Sequence, residues 1–465
     1  MGRMVVKGEA TGAAKQYGLT AGMLTAALAV AGLLTYGFFA LASHSLSADD
    51  YGQVVVLWTC VFIVVSVFFR PVEQLLSRTI AEQEAQNRAI RDALRIAAFI
   101  QFGVAVAFVL LAFALRGVIE DDLLEGNEFL FYVLVAAVLA FGASFFARGF
   151  LAGERRFGHF AALLLLDGSG RLAFSLAVAV GIAEGIDVVA LGIVAGPALS
   201  LLIVPFALGS RLGPGPPAGR PGADSAATPD VPEFTLAQGG GFAAAVLLVM
   251  LSEQVFLGTG PLFARAEAGA AAAGFMFNIL MVARAPVVLF QAVAASLLPH
   301  LTRLRSTGDE SSDEAFRLSV RLTISVVAGC AALLALVMLV AGPELMQIAF
   351  GDKFTYERAD LVIVAVGMGF YLSAATLNQA ALAQGQARRA AACWVACAIG
   401  FVVWNLAGAM DVFRQVEVGF AVSAAVLCAL LLALYRRPRP EAGEVILPGS
   451  PRELEARLAA ADDAV

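Results

Sequence analysis

A chain of 465 residues with 60% apolar and 15% charged side chains, and a mean hydropathy of +0.83, cannot hide its apolar surface in a water-soluble core. The formal charge of −6 conceals an uneven basic set, 28 Arg against three Lys at Lys7, Lys15 and Lys353, so sign has to be judged loop by loop. Composition points to an all-α polytopic membrane protein and gives a nucleic-acid partner no support.

Residues 1–17 read as a cytoplasmic N-terminus, and the apolar run from Leu19 to about Ala42 is too long for a cleavable signal, so it is expected to be a retained span. A bilayer core of about 30 Å needs about 20 apolar residues in a helix. Runs of that kind start near Leu19, Gln53, Ala97, Phe129, Phe160 and Val188, setting an N-terminal lobe at 18–210. The Pro/Gly-rich stretch Gly213 to Glu233 has no apolar periodicity and reads as a cytoplasmic linker at 211–234. Six further runs start near Phe242, Ala272, Leu322, Leu361, Ala390 and Val418, setting a C-terminal lobe at 235–435 before a polar cytoplasmic tail at 436–465. Twelve spans with both termini cytoplasmic put 24 basic residues inside and five outside, and a missed or invented span would reverse that pattern downstream.

An even number of spans per lobe gives the lobes one orientation, as in repeats related by an axis along the membrane normal. A weak repeat agrees with this: shifted by 222 positions, the second span overlays the eighth, aligning Gly52 with Gly274 and Leu75-Leu76 with Leu297-Leu298. A second echo links Leu151–Arg156, after the fourth span, with Leu382–Arg389, after the tenth.

A charge at the centre of a span costs about 2.5–3.5 kcal/mol on insertion scales, so each one asks for a partner or a cavity. In the fifth span Arg171 falls at the midplane, with Asp167 at i−4 on the same face. Glu253 is central to the seventh span and Arg284 to the eighth, and a short connection would bring these opposite charges to one depth. Arg171 and Arg284 either face a shared central cavity and hold an anion such as a phosphate, or belong to a neutralised structural pair in each lobe. Asp167 and Glu253 are accordingly ion-pair partners or proton-coupling groups.

At the cytoplasmic end of the second span, Arg70, Glu73, Gln74 and Arg78 surround Pro71. They read as a gate admitting a charged headgroup, or as a snorkelling arginine with its counter-ion. Asn278, Gln291, Asn378, Gln379, Gln384 and Asn405 are open to lining a path for sugar hydroxyls or to bonding helix to helix.

No GxxxxGK(S/T) phosphate loop is present, and the isolated His44, His159 and His300 exclude an HExxH zinc site. Cys60, Cys330, Cys393, Cys397 and Cys428 all fall in apolar runs and read as packing residues. No cofactor, metal or catalytic residue is expected, and the protein reads as a non-enzyme. One enzymatic alternative stays open at Asp49-Asp50 in the first outside loop. Membrane glycosyltransferases or ligases acting on lipid-linked sugars place such acidic pairs there as base or metal ligand; the other account is a helix cap.

Five motifs in order carry a family resemblance: SADDYG after the first span, PVEQLLSR closing the second, RGFLAGERRFGHF leading into DGSGR of the fifth, AAGFMFNILMVARAP in the eighth and LMQIAFGDKF after the ninth. Together they resemble bacterial polysaccharide-biosynthesis flippases, of the superfamily that also holds the MATE multidrug exporters and lipid II flippases. The resemblance implies twelve helices in two six-helix lobes forming a V around a central cavity in the bacterial cytoplasmic membrane, alternating between inward-open and outward-open states. It implies a polyprenyl-pyrophosphate-linked oligosaccharide as cargo, and as partners membrane lipid and the glycosyltransferases or polymerase of the same pathway. By position, Arg171 and Arg284 become pyrophosphate contacts, and Arg70 and Arg78 line the cytoplasmic entrance. A MATE-type exporter of organic cations is the alternative on the same fold.

Overall fold

The computed structural model describes residues 2–85, 90–209, 236–287, 297, 301 and 310–436. The linker at 211–234, the tail from 437, and Gln291 and Leu298 of the eighth span lie outside the described residues. Among the described residues every regular element is helical. The first half comprises α1 (Gly2–Ser45), α2 (Ala48–Phe68), α3 (Arg70–Ala85), α4 (Arg91–Ala114), a π turn (Val118–Leu123), α5 (Glu128–Gly153), α6 (Phe157–Ala179), α7 (Ile186–Ser200) and α8 (Ile203–Gly209). The second comprises α9 (Leu236–Ala268), α10 (Ala270–Ala283), α11 (Glu310–Phe350), α12 (Arg358–Ala383), α13 (Ala387–Leu406) and α14 (Val412–Arg436). Eleven segments among the described residues are long and apolar enough to cross a membrane, with α2 and α3 counted together. The eighth expected span is the exception, because α10 is a regular helix for only 14 residues.

Local chemistry sets the helix ends. Ser47 accepts the Asp50 amide at 3.1 Å to start α2, and Asn127 accepts the Leu130 amide at 3.2 Å to start α5. Proline sets the two internal breaks. The second span parts at Phe69, since Pro71 cannot donate to the preceding turn and its ring crowds the carbonyl there. Two residues before Pro286, α10 ends with Arg284 as its C-cap, bonded to Leu280 and Met281. Each break therefore sets an arginine, Arg70 or Arg284, where the helix bends.

Within the first half α6 packs against α1 and α7, and α5 against α3 and α7. In the second half α12 lies between α11 and α14, and α9 against α10 and α13. The halves meet chiefly along α2 and α10, the two helices of the internal repeat. The aligned glycines both lie in that contact. A Cβ on Gly52 would stand 1.8 Å from the Ala270 carbonyl oxygen, and one on Gly274 would stand 2.9 Å from the Tyr51 ring.

We call the end of the bundle that carries the turns at 46–47, 124–127, 269 and 351–357 the distal face. There the halves are tied together. Ser43 donates to the Phe350 carbonyl at 2.6 Å, and Lys353 donates to the carbonyls of Ser43 at 2.9 Å, His44 at 3.1 Å and Leu46. Those carbonyls end α1, where the helix leaves its acceptors unpaired and its dipole favours a cation. Partial burial holds the Lys353 ammonium below the usual lysine range. Tyr51 donates to Asn278, Asn278 donates to Tyr356 at 2.9 Å, and Arg265 pairs with Glu125 at 3.1 Å.

Candidate functional site

A cavity of about 320 Å³ lies between the halves, and five spans supply its polar lining. Tyr36 comes from α1, Arg148 from α5, Asp167 and Arg171 from α6, Gln254 from α9, and Arg284 from the end of α10. Its walls are aromatic, with Phe39, Trp58, Phe62, Phe141, Phe145 and Phe277. The seat of the α6 charges depends on α7, where a Cβ on Gly196 would stand 2.6 Å from the Asp167 carbonyl and 2.7 Å from Arg171 Cγ. With no side chain at Gly196, α7 closes over the back of this turn, and Asp167 and Arg171 are left to the cavity side.

Both arginines of the first half use one carboxylate oxygen. Arg148 Nη2 lies 2.9 Å and Arg171 Nη2 3.3 Å from Asp167 Oδ2. Arg171 lies over the Trp58 ring with its Cζ at 4.8 Å, and Arg148 over Phe145 at 4.7 Å. Each such cation–π contact contributes about 0.5–2 kcal/mol, which offsets part of the cost of burying the guanidinium. Among the described residues, Nε and Nη1 of Arg171, Nε of Arg148 and Nε of Arg284 are buried without a hydrogen-bond partner. Three guanidinium groups thus face one carboxylate in the lining, with donors to spare. Such a set suits acceptor oxygens carried by an anion.

The sequence-derived candidates divide in space. Arg171, Asp167 and Arg284 converge on the cavity, whereas Glu253 does not line it. No ion pair joins Glu253 to Arg284 among the described residues, and the charge acting on Glu253 is that of Arg70 from the other half. Neighbouring residues on a helix point about 100° apart, so Gln254 takes the cavity position and turns Glu253 aside. Arg284 lies within electrostatic reach of Tyr36 and Tyr371 instead.

The gate candidates also separate. Glu73 lies within electrostatic reach of Arg148 and Arg70, its backbone against Gly149 of α5. Gln74 is exposed, and Arg78 forms an exposed i,i+4 pair with Glu82 at 2.7 Å. Such pairs contribute about 0.3–0.5 kcal/mol.

Arg148 escaped sequence reasoning because the positive-inside count absorbed it as a cytoplasmic charge. Its signal was the helix continuing unbroken to Gly153, five residues past it. Three of the amides read as possible path residues bond within or between helices: Asn378 accepts from Trp394 at 3.2 Å, Asn405 donates to the Phe401 carbonyl at 2.7 Å, and Asn278 joins Tyr51 to Tyr356. Asp50 accepts the Ser47 hydroxyl at 2.7 Å within the helix cap.

No protein-family model and no curated protein matches the sequence. Solved structures do match, at low identity. An inward-facing MATE multidrug resistance transporter of the MOP superfamily superposes with a TM-score of 0.67 at 12% identity, covering 87% of this chain and 94% of its own. An outward-facing MATE transporter of that superfamily gives 0.60 at 13% identity, with 90% and 94% covered. A MOP superfamily transporter from Pyrococcus furiosus, described as having a binding pocket of reversed polarity that suggests a different function, gives 0.61 at 12%, with 90% and 94% covered. The fold is that of MATE transporters of the MOP superfamily.

Proposed function

We propose that the protein is an alternating-access transporter carrying a polyprenyl-pyrophosphate-linked oligosaccharide from the cytoplasmic to the outer leaflet of a bacterial membrane, with the distal face outside. The observation that carries this reading is the arginine-dominated cavity between the halves, with buried N–H groups left over on Arg171, Arg148 and Arg284. A pyrophosphate supplies acceptor oxygens in the fork geometry that guanidinium groups match. The polyprenyl tail stays in lipid between the lobes, while the aromatic walls exclude water and so strengthen the charge contacts.

The second reading is a multidrug exporter of organic cations, favoured by the multidrug description of the MATE neighbours. Such cargo would meet a surplus of positive charge here. The P. furiosus neighbour, where pocket polarity is taken to suggest a different function, supports reading cargo from charge as well as fold. The helix-cap engagement of Asp50 supports its structural account over that of a glycosyltransferase base.

Proteoliposomes test the choice. Translocation of a labelled polyprenyl-pyrophosphate oligosaccharide is expected for the wild type and should fall to background in the Arg171→Ala, Arg284→Ala double variant. Unchanged translocation in that variant, or efflux of organic cations with no lipid movement, would sink the assignment. Asp50→Asn should leave translocation intact.

A further inference from the structure

A second polar centre lies at the distal face, away from the arginine cavity. Asp360, in the first turn of α12, and Glu417, in the second turn of α14, are in side-chain contact. Glu417 is fully buried, at 0% exposure. Taken as ionised, neither carboxylate can donate to the other; among the described residues both oxygens of Glu417 are then left without a hydrogen bond, and Oδ1 of Asp360 has only its ion pair with Arg414. A proton between them satisfies the contact, as in other carboxyl pairs held together in a protein interior.

The surrounding charges do not remove the need for it. Arg414 Nη1 lies 3.0 Å from Asp360 Oδ1, but its Nη2 is directed to Glu357 at 3.6 Å. Asp411 adds a further negative charge near the pair. The other arginines and the lysine at this face are engaged elsewhere: Arg116 with Glu120 and Glu128, Arg358 with Glu344 at 3.1 Å, Arg265 of α9 with Glu125, and Lys353 with the carbonyls ending α1. α13, which also packs on α14, holds Arg388 and Arg389 in its first turn, at the opposite end of the bundle. Asp360 lines a cavity of about 670 Å³ at the distal face, together with Glu357, Asp411, Arg414 and Lys353. A route from the distal side to Glu417 thus runs through Asp360.

We propose that Asp360 and Glu417 form a proton-binding pair that holds a single shared proton and loads from the distal face. This does not rest on the cargo of the central cavity, because proton binding is read on the protein alone. The test is infrared spectroscopy of the full-length protein in lipid nanodiscs across neutral pH, following the carboxylic-acid C=O stretch that carboxylates lack. Glu417→Gln and Asp360→Asn should each lose the same acid band, of one proton per chain, and the double variant should lose no more. Glutamine keeps the size and hydrogen bonding of a protonated Glu417, so Glu417→Gln is expected to fold, and Asp360→Asn reports independently. An acid band unchanged in both variants overturns the proposal. So does thermal stabilisation of the wild type by sodium chloride over choline chloride that both variants abolish, since a metal cation would then occupy the pair.

Discussion

Asp167 is the residue on which the charge balance of the central site turns, because one of its oxygens serves two buried guanidinium groups. Asp167→Asn leaves Arg148 and Arg171 as like charges without compensation, and breaking a buried pair in this way costs about 3–5 kcal/mol. The expected result is a large drop in the thermal unfolding midpoint. Arg148→Gln should behave differently, since Asp167 keeps Arg171 as its partner. Stability is expected to change by roughly 1 kcal/mol, while affinity for inorganic pyrophosphate, followed by calorimetry, should fall by about 10- to 100-fold, the worth of one charged hydrogen bond. If Arg148→Gln instead destabilises the protein and leaves pyrophosphate binding as it was, Arg148 is a structural partner only.

The halves meet chiefly along two elements, and both belong to the internal repeat. α2 and α10 meet glycine to backbone at Gly52 and glycine to ring at Gly274. A Cβ at Gly52, 1.8 Å from the Ala270 oxygen, cannot be relieved by a rotamer change, so one backbone must retreat. Gly52→Ala is therefore expected to part α2 from α10. Spin labels at the exposed positions Asp49 and Glu267 should report a longer distance and a broader distribution than in the wild type, and an unaltered distribution would show that this contact does not govern closure. The proline breaks do comparable work at the other ends of these helices. The break before Pro286 leaves Arg284 as the last residue bonded back into α10, and it lines the cavity there.

For the molecule as a whole, the proposed alternating access makes the distal ties the contacts that must break for the distal face to open. The distal face is closed by these ties between the halves. Lys353 and Arg265 supply the charged contacts of that closure. Hydrogen bonds to charged groups contribute about 1.5–3 kcal/mol each. Lys353→Met with Arg265→Ala should accordingly shift the balance towards the distal-open state by on the order of 100-fold or more, read from the same spin-label pair. The outer flanks, where Phe99 is 79% and Ile348 77% exposed, are the surfaces a bilayer would cover.

The sequence by itself determined the parts that a bilayer imposes. Span length follows from the thickness of the apolar layer, and the notice drawn to Arg171 and Arg284 from the cost of charge at the midplane; the placement of Arg and Lys gives sidedness as an expectation. It also showed the α2–α10 repeat and its paired glycines, without showing that they touch each other. Tertiary structure alone decided which charges converge. Helix azimuth and lateral neighbours are not local properties: a rotation of about 100° between Gln254 and Glu253 puts one in the cavity lining and turns the other out of it, within electrostatic reach of Arg70. The same dependence on neighbours brings Arg148 to Asp167 from another helix, and Glu417 to Asp360 across 57 residues of chain.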